Sequence, residues 1–127
     1  MVVDGAHNIG AARRLKQAIE QYFDFDRAIL VIGASFDKDI ASIVSELYPP
    51  FDKVIVTRSR HPRAMALASL AAEFAKHGVK AQIAEDVPAA LSQALALAGD
   101  KDLVCIAGSL FVVGEAMEQA VKLFSTG

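Results

Sequence analysis

A chain of 127 residues, 54% hydrophobic and 22% charged, suits one domain with one core, burying about two-thirds of its unfolded surface. A formal net charge of −2 provides no broad basic face to track a nucleic-acid backbone or an anionic membrane, so neither partner is expected. The single cysteine, Cys105, lies inside the apolar run "DLVCIAGS" and excludes an internal disulfide; it reads as packing in a reducing compartment. No basic segment followed by an apolar stretch opens the chain, and no run approaches a membrane helix, so a cytoplasmic protein is expected. Repeats, low-complexity tracts and Gly/Ser linkers are absent from the sequence, which argues against an internal boundary.

Short continuous apolar runs alternate with segments of helical period, the pattern of a parallel sheet covered on both faces. The first run, Met1–Val3, passes through "DGAHN" into a helix striped by Leu15, Ala18, Ile19 and Tyr22. Asp4 and Asn8 suit turn and cap chemistry, whereas His7 answers no common turn requirement and Gly5 suits a positive φ or a close backbone approach. The second run, "RAILVIG" (27–33), meets "GASFDKD", where Asp37 is the expected N-cap of a helix carrying Ile40, Ile43, Val44 and Leu47 and stopped by "YPP". Lys38 stands there either as a solvated cation or as a ligand group.

The third run, "DKVIVT" (52–57), is followed by "RSRHPR", in which Pro62 is expected at the first helical position. Arg60, His61 and Arg63 are then surface charges or anion ligands. A helix striped by Leu67, Leu70, Ala71 and Phe74 closes at "KHG". A fourth run, "VKAQIA" (79–84), precedes "ED" and a helix using Ala90, Leu91, Ala94 and Leu95, closed by "AGD". The fifth, "DLVCIAG" (102–108), meets "GSLF" and a last helix carrying Val113, Met117, Ala120, Val121 and Phe124. Ser109 can cap that helix, serve a ligand, or do both.

Every polar cluster thus falls at the carboxyl end of a run, where open α/β sheets bind ligands beside helix N-termini. Familiar sites are missing. The sequence contains no G-x-x-x-x-G-K-[ST] loop and no G-x-G-x-x-G after the first run, and its histidines have no zinc-like spacing with cysteine. It has no G-x-S-x-G elbow, and strand three ends in Thr57 and Arg58 rather than in a receiver-type aspartate.

In order along the chain, "DGAHN", "GASFDKD", "TRSRHPRAM" and "GSLFVVGEA" resemble the C-terminal domain of folylpolyglutamate synthase/dihydrofolate synthase, within the Mur ligase family. The commoner family form is "DGAHNP"; here Ile9 replaces the proline, losing a helix-start preference but no reactive group. The resemblance implies a Rossmann-like three-layer α/β domain over residues 1–127, with a mostly parallel sheet of five or six strands and helices on both faces. It further implies an excised part of a longer ATP-dependent amide ligase, with Met1 introduced or internal, the N-terminal and P-loop ATPase domains lying elsewhere, and no activity alone.

Such ligases phosphorylate a folate or pteroate carboxylate from ATP and join the acyl phosphate to the amine of glutamate. By resemblance Asp4 meets the ATP ribose and Asn8 joins it as a cofactor-binding residue. His7, beside nucleotide and amino acid, is the candidate catalytic residue. Lys38, Ser109 and Arg63 are the candidate substrate-binding residues. ATP and Mg2+ are the implied cofactors, held mainly by the ATPase domain, with no metal ligand on this chain. Its implied partners are glutamate, a folate or pteroate substrate and its own P-loop domain. A free-standing nucleotide- or phosphate-binding module of doubly wound fold, using Arg60, Arg63 and helix N-termini, is the alternative.

Overall fold

The computed structural model describes residues 2–4, 9–22, 26–35 and 39–125, with backbone alone for 2–4, 9, 22, 110–111 and 123–125. Among these, β1 (Val2–Asp4), α1 (Ile9–Tyr22), β2 (Ala28–Gly33), α2 (Ile40–Leu47) and β3 (Lys53–Val56) come first. They are followed by α3 (Leu67–Ala75), β4 (Gln82–Ile83), α4 (Val87–Leu97), β5 (Leu103–Gly108) and α5 (Leu110–Ser125). The strands form one parallel sheet in the order β1-β5-β2-β3-β4. The expected α/β architecture with a five-stranded parallel sheet is therefore present.

The central strands are buried on both faces, which is why they read as unbroken apolar runs. Leu30, Ile32, Val54, Val56, Cys105 and Ala107 face α1, α2 and α3 in one core. Ile29, Val31, Ile55, Val104 and Ile106 face α4 and α5 in a second core. Cys105 is fully buried in the first of these cores as a packing residue.

The chain leaves β1 and β2 towards one face and β5 towards the other. Since β5 lies between β1 and β2, the connections diverge on both sides of its carboxyl end. That divergence opens the ligand crevice of a doubly wound sheet.

Several local expectations change. The α2 cap is Asp39 rather than Asp37: its carboxylate accepts from Ser42 N at 3.3 Å and from Ser42 Oγ at 2.7 Å. Asp37 itself lies outside the described residues. Pro62 does not open α3, which begins five residues later; Ala64 N donates to His61 O (3.0 Å), so Pro62 sits second in a turn, where its fixed φ also fits.

The fourth strand shrinks to Gln82–Ile83, an exposed and very short edge, while Val79 and Ala81 pack beside the first core. Leu95 is 40% exposed, and Val87 joins the buried face of α4 instead.

On α5 the apolar stripe is shifted by one residue. Val112 and Ala116 are buried, whereas Met117 and Val121 are 57% and 65% exposed. The adjacent pair Val112–Val113 starts two series of helical period, and periodicity cannot choose between them. The approach of the helix start to β2 decides it, because a Cβ on Gly33 would come within 2.6 Å of Val112 Cγ2.

Candidate functional site

Gly33 and Gly108 end neighbouring central strands in register, and their backbones meet. A Cβ on Gly108 would fall on the carbonyl oxygen of Gly33, and Gly108 adopts φ +113°. One residue on, Ser109 N donates to Gly33 O at 3.0 Å, turning the chain into α5. Ser109 is buried, and its hydroxyl accepts from Val112 N at 3.2 Å and caps that helix. It keeps its own proton and a second lone pair for another partner.

Asp4 ends β1 opposite Ala107, two residues before Ser109, so these two candidates share one stretch of the carboxyl edge. α1 then begins at Ile9, the position at which the family's proline would stand. His7, Asn8 and Lys38 lie outside the described residues.

Arg63 belongs to a strap that follows β3. Thr57 N continues the pairing onto Ile32 O (2.9 Å), and the chain then turns over the edge of the sheet. The turn is tightened from inside: His61 N donates to Ser59 Oγ (3.2 Å) and Arg63 N donates to His61 Nδ1 (3.1 Å). Beyond it, Ser35 bridges Ala64 antiparallel, and Met65 N donates to Ala34 O (2.8 Å). The strap therefore reaches the segment after β2 that leads toward Lys38.

Of the strap's cations, Arg60 is committed to protein carboxylates. Its guanidinium lies 3.6 Å from Glu115 Oε1 and 3.2 Å from Glu118 Oε2. Those contacts tie Arg60 to α5, while Arg58 and Arg63 are the strap's other exposed cations.

A depression of about 470 Å3 beside the strap is lined by Arg58, Ser59, His61, Glu85 and Asp86 among others, so its wall carries both signs of charge. Just before the strap, Thr57 is fully buried, and its Oγ1 has no hydrogen-bond partner among the described residues. Sequence reading missed Thr57, Glu115 and Glu118. A threonine ending a strand looks like strand propensity, and two glutamates on a helix look like solvated surface.

The described residues contain no group of three His, Cys, Asp or Glu side chains placed to hold a metal ion. The carboxyl edge thus brings together the strand-ending Asp4, the capping hydroxyl of Ser109 and a strap that carries Arg58 and Arg63. No helix among the described residues is long and apolar enough to cross a membrane.

A parallel doubly wound sheet with its polar groups gathered where the connections diverge defines a ligand-binding α/β domain of the Rossmann type. Residues 1–110 match the family described as Mur ligase, glutamate ligase domain, and the chain belongs to that family.

A probable bifunctional folylpolyglutamate synthase/dihydropteroate synthase of Halobacterium salinarum is 36% identical over 98% of this chain and 15% of its own length. The E. coli FolC structure in complex with ADP superposes with a TM-score of 0.87 at 28% identity, covering 98% of this chain and 30% of that one. The Yersinia pestis folylpolyglutamate synthase/dihydrofolate synthase with Mn, AMPPNP and L-glutamate bound gives 0.83 at 30% identity, over 91% of this chain and 27% of that one. The chain thus spans less than a third of the solved relatives and about a seventh of the curated one.

Proposed function

We propose that this chain is the glutamate-ligase part of an ATP-dependent acid–amino-acid ligase acting on a folate or pteroate substrate. The observation that carries the reading is the gathering of Asp4, Ser109 and the Arg63 strap at one carboxyl edge in a chain of this family. The E. coli relative solved with ADP and the Yersinia pestis relative solved with AMPPNP and L-glutamate support it.

When bound, ATP with a divalent cation supplies the phosphoryl group that activates the substrate carboxylate. This chain's own residues bind and orient. Asp4, whose carboxylate only accepts hydrogen bonds when ionised, suits the two ribose hydroxyls, with Asn8 beside it. Lys38 and Arg63 offer positive charge to the carboxylates of glutamate, and Ser109 offers a hydroxyl at a helix N-terminus, where the dipole favours an anion. His7, by the family resemblance a neighbour of both ligands, has an imidazole whose chemistry suits holding a proton of the incoming amine. Holding amine and activated carboxyl in reacting geometry is the main contribution such residues make.

The test is a crossed titration in the complete ligase. Asp4→Ala is expected to raise the KM for ATP about ten- to a hundredfold, the worth of one charged hydrogen bond, and to leave that for glutamate nearly unchanged. Lys38→Met, which keeps most of the apolar stem, is expected to do the reverse. Equal effects of both variants on both substrates would refute the assignment of separate ligands.

A further inference from the structure

The strap is pinned at two ends, to opposite faces of the sheet. Its far end is tied to Ala34 and Ser35, on the way to α2. Its near end is tied to α5: the Arg60 amide donates to Glu115 Oε2 at 2.8 Å, while the Arg60 side chain reaches Glu115 and Glu118. The Glu115 side chain is only 12% exposed. An ionised carboxylate so placed is costly unless it is hydrogen-bonded and charge-paired.

Neither the cap of α5 nor the closure of the sheet uses Glu115, since Ser109 supplies the cap and the strands pair without it. What Glu115 does contact is the strap, three residues before Arg63. It also lies six residues after Ser109, so a rise of about 9 Å along one rigid helix connects the anchor to the capping hydroxyl.

We propose that Glu115 is a positioning residue, whose carboxylate holds the Arg60 amide and thereby fixes where the His61–Ala64 turn presents Arg63 relative to Ser109. This rests on the reading of Arg63 and Ser109 as substrate-binding residues. The anchoring bond goes to a backbone amide, so it survives any change of side chain at position 60 other than to proline, which has no N–H. The Arg60 guanidinium neutralises the carboxylate and does not set the register of the strap. Loss of the carboxylate therefore releases the strap, while loss of the guanidinium leaves it in place.

The experiment measures glutamate and ATP kinetics of the complete ligase carrying Glu115→Ala, Glu115→Gln, Glu115→Asp, Arg63→Ala or Glu115→Ala with Arg63→Ala. Displacing a binding group by about 1 Å is enough to expect a KM for glutamate about ten-fold higher in Glu115→Ala, with kcat and the KM for ATP within about two-fold of wild type. Glu115→Gln keeps an acceptor and is expected to recover most of the loss. The double variant is expected to be no worse for glutamate than Arg63→Ala alone, because both changes remove the same contact.

Glu115→Asp keeps the charge but draws it back by one methylene, so it tests the anchor in a folded protein even where alanine does not fold. A raised KM for glutamate in this variant supports the proposal. The anchoring role is overturned if Arg63→Ala raises the KM for glutamate while Glu115→Asp leaves it at the wild-type value, or if the two losses simply add in the double variant. If Arg63→Ala itself leaves the KM for glutamate unchanged, the substrate role of Arg63 fails, and the anchoring role fails with it.

Discussion

The Ser109 hydroxyl accepts one amide of α5 and still has a proton to give, so its two roles are separable by measurement. Ser109→Ala is expected to cost about 1 kcal/mol of stability through the lost cap. It is also expected to weaken glutamate in the complete ligase; a lowered melting temperature with unchanged glutamate kinetics would leave the cap as its only role. Ser109 was legible because a serine between a strand-ending glycine and an apolar helix is a cap signature. The Asp39 cap was not, because "FDKD" contains two aspartates and only the start of α2 at Ile40 selects between them.

At the amino end of the sheet, Asp102 accepts from Gly99 N (2.8 Å) and from Arg27 (2.8 Å), which also donates to Leu97 O. The Gly99 amide first, and the Arg27 guanidinium next, hold the Asp102 carboxyl below its ordinary pKa. As the pH falls through about 4, the unfolded chain takes up a proton before the folded one does. Stability contributed by this carboxylate is therefore complete above that range and is lost progressively as the pH falls below it. Asp102→Asn is expected to flatten the dependence of unfolding free energy on pH between about 4 and 2. Equal acid slopes for variant and wild type would contradict the linkage.

Among the elements, α5 is where pattern and packing diverge. The stripe read from the sequence is the longer and more apolar of the two, yet its Met117 and Val121 are exposed while Val112 and Ala116 are buried, because Val112 meets the sheet beside Gly33. Val112→Ala is accordingly expected to cost about 2 kcal/mol, from two lost methyl groups and the space they leave. Met117→Gln is expected to stay within about 0.5 kcal/mol of wild type. The opposite order in denaturant melts would restore the stripe read from the sequence. Gly108→Ala is expected to be worse than either, because the left-handed backbone alone costs about 1–3 kcal/mol and the new Cβ falls on Gly33. α2 needed no such arbitration, since Ile40, Ile43, Val44 and Leu47 form the single apolar series available to it and all four are buried.

Over the whole molecule, alternation of apolar runs and helical segments was enough to read the layers, because parallel central strands must be apolar on both faces. The strand order was not readable. Nothing local in "DLVCIAG" says that β5 enters between β1 and β2; that follows from the return of α4 across the second face, a contact between distant parts of the chain. The same insertion joins the first and last motifs of the sequence at one edge, which explains why Asp4 and Ser109 are candidates for one site although 105 positions separate them.

It also makes the two cores interdependent, since β2, β3 and β5 supply side chains to both. The 127-residue chain is therefore expected to unfold in one cooperative step, with helix content and core amide protection lost together. The sequence carries no phosphate-wrapping G-x-x-x-x-G-K-[ST] loop, so the same preparation, given ATP, magnesium, glutamate and a reduced folate, is expected to release phosphate at the uncatalysed background. Glutamate-dependent release that persists through repeated purification would show that this domain performs phosphoryl transfer unaided and would move the chemistry onto the strap and the carboxyl edge. Background release together with a single cooperative transition would leave this chain as a folded binding domain whose groups act only when the phosphoryl donor is delivered to that edge.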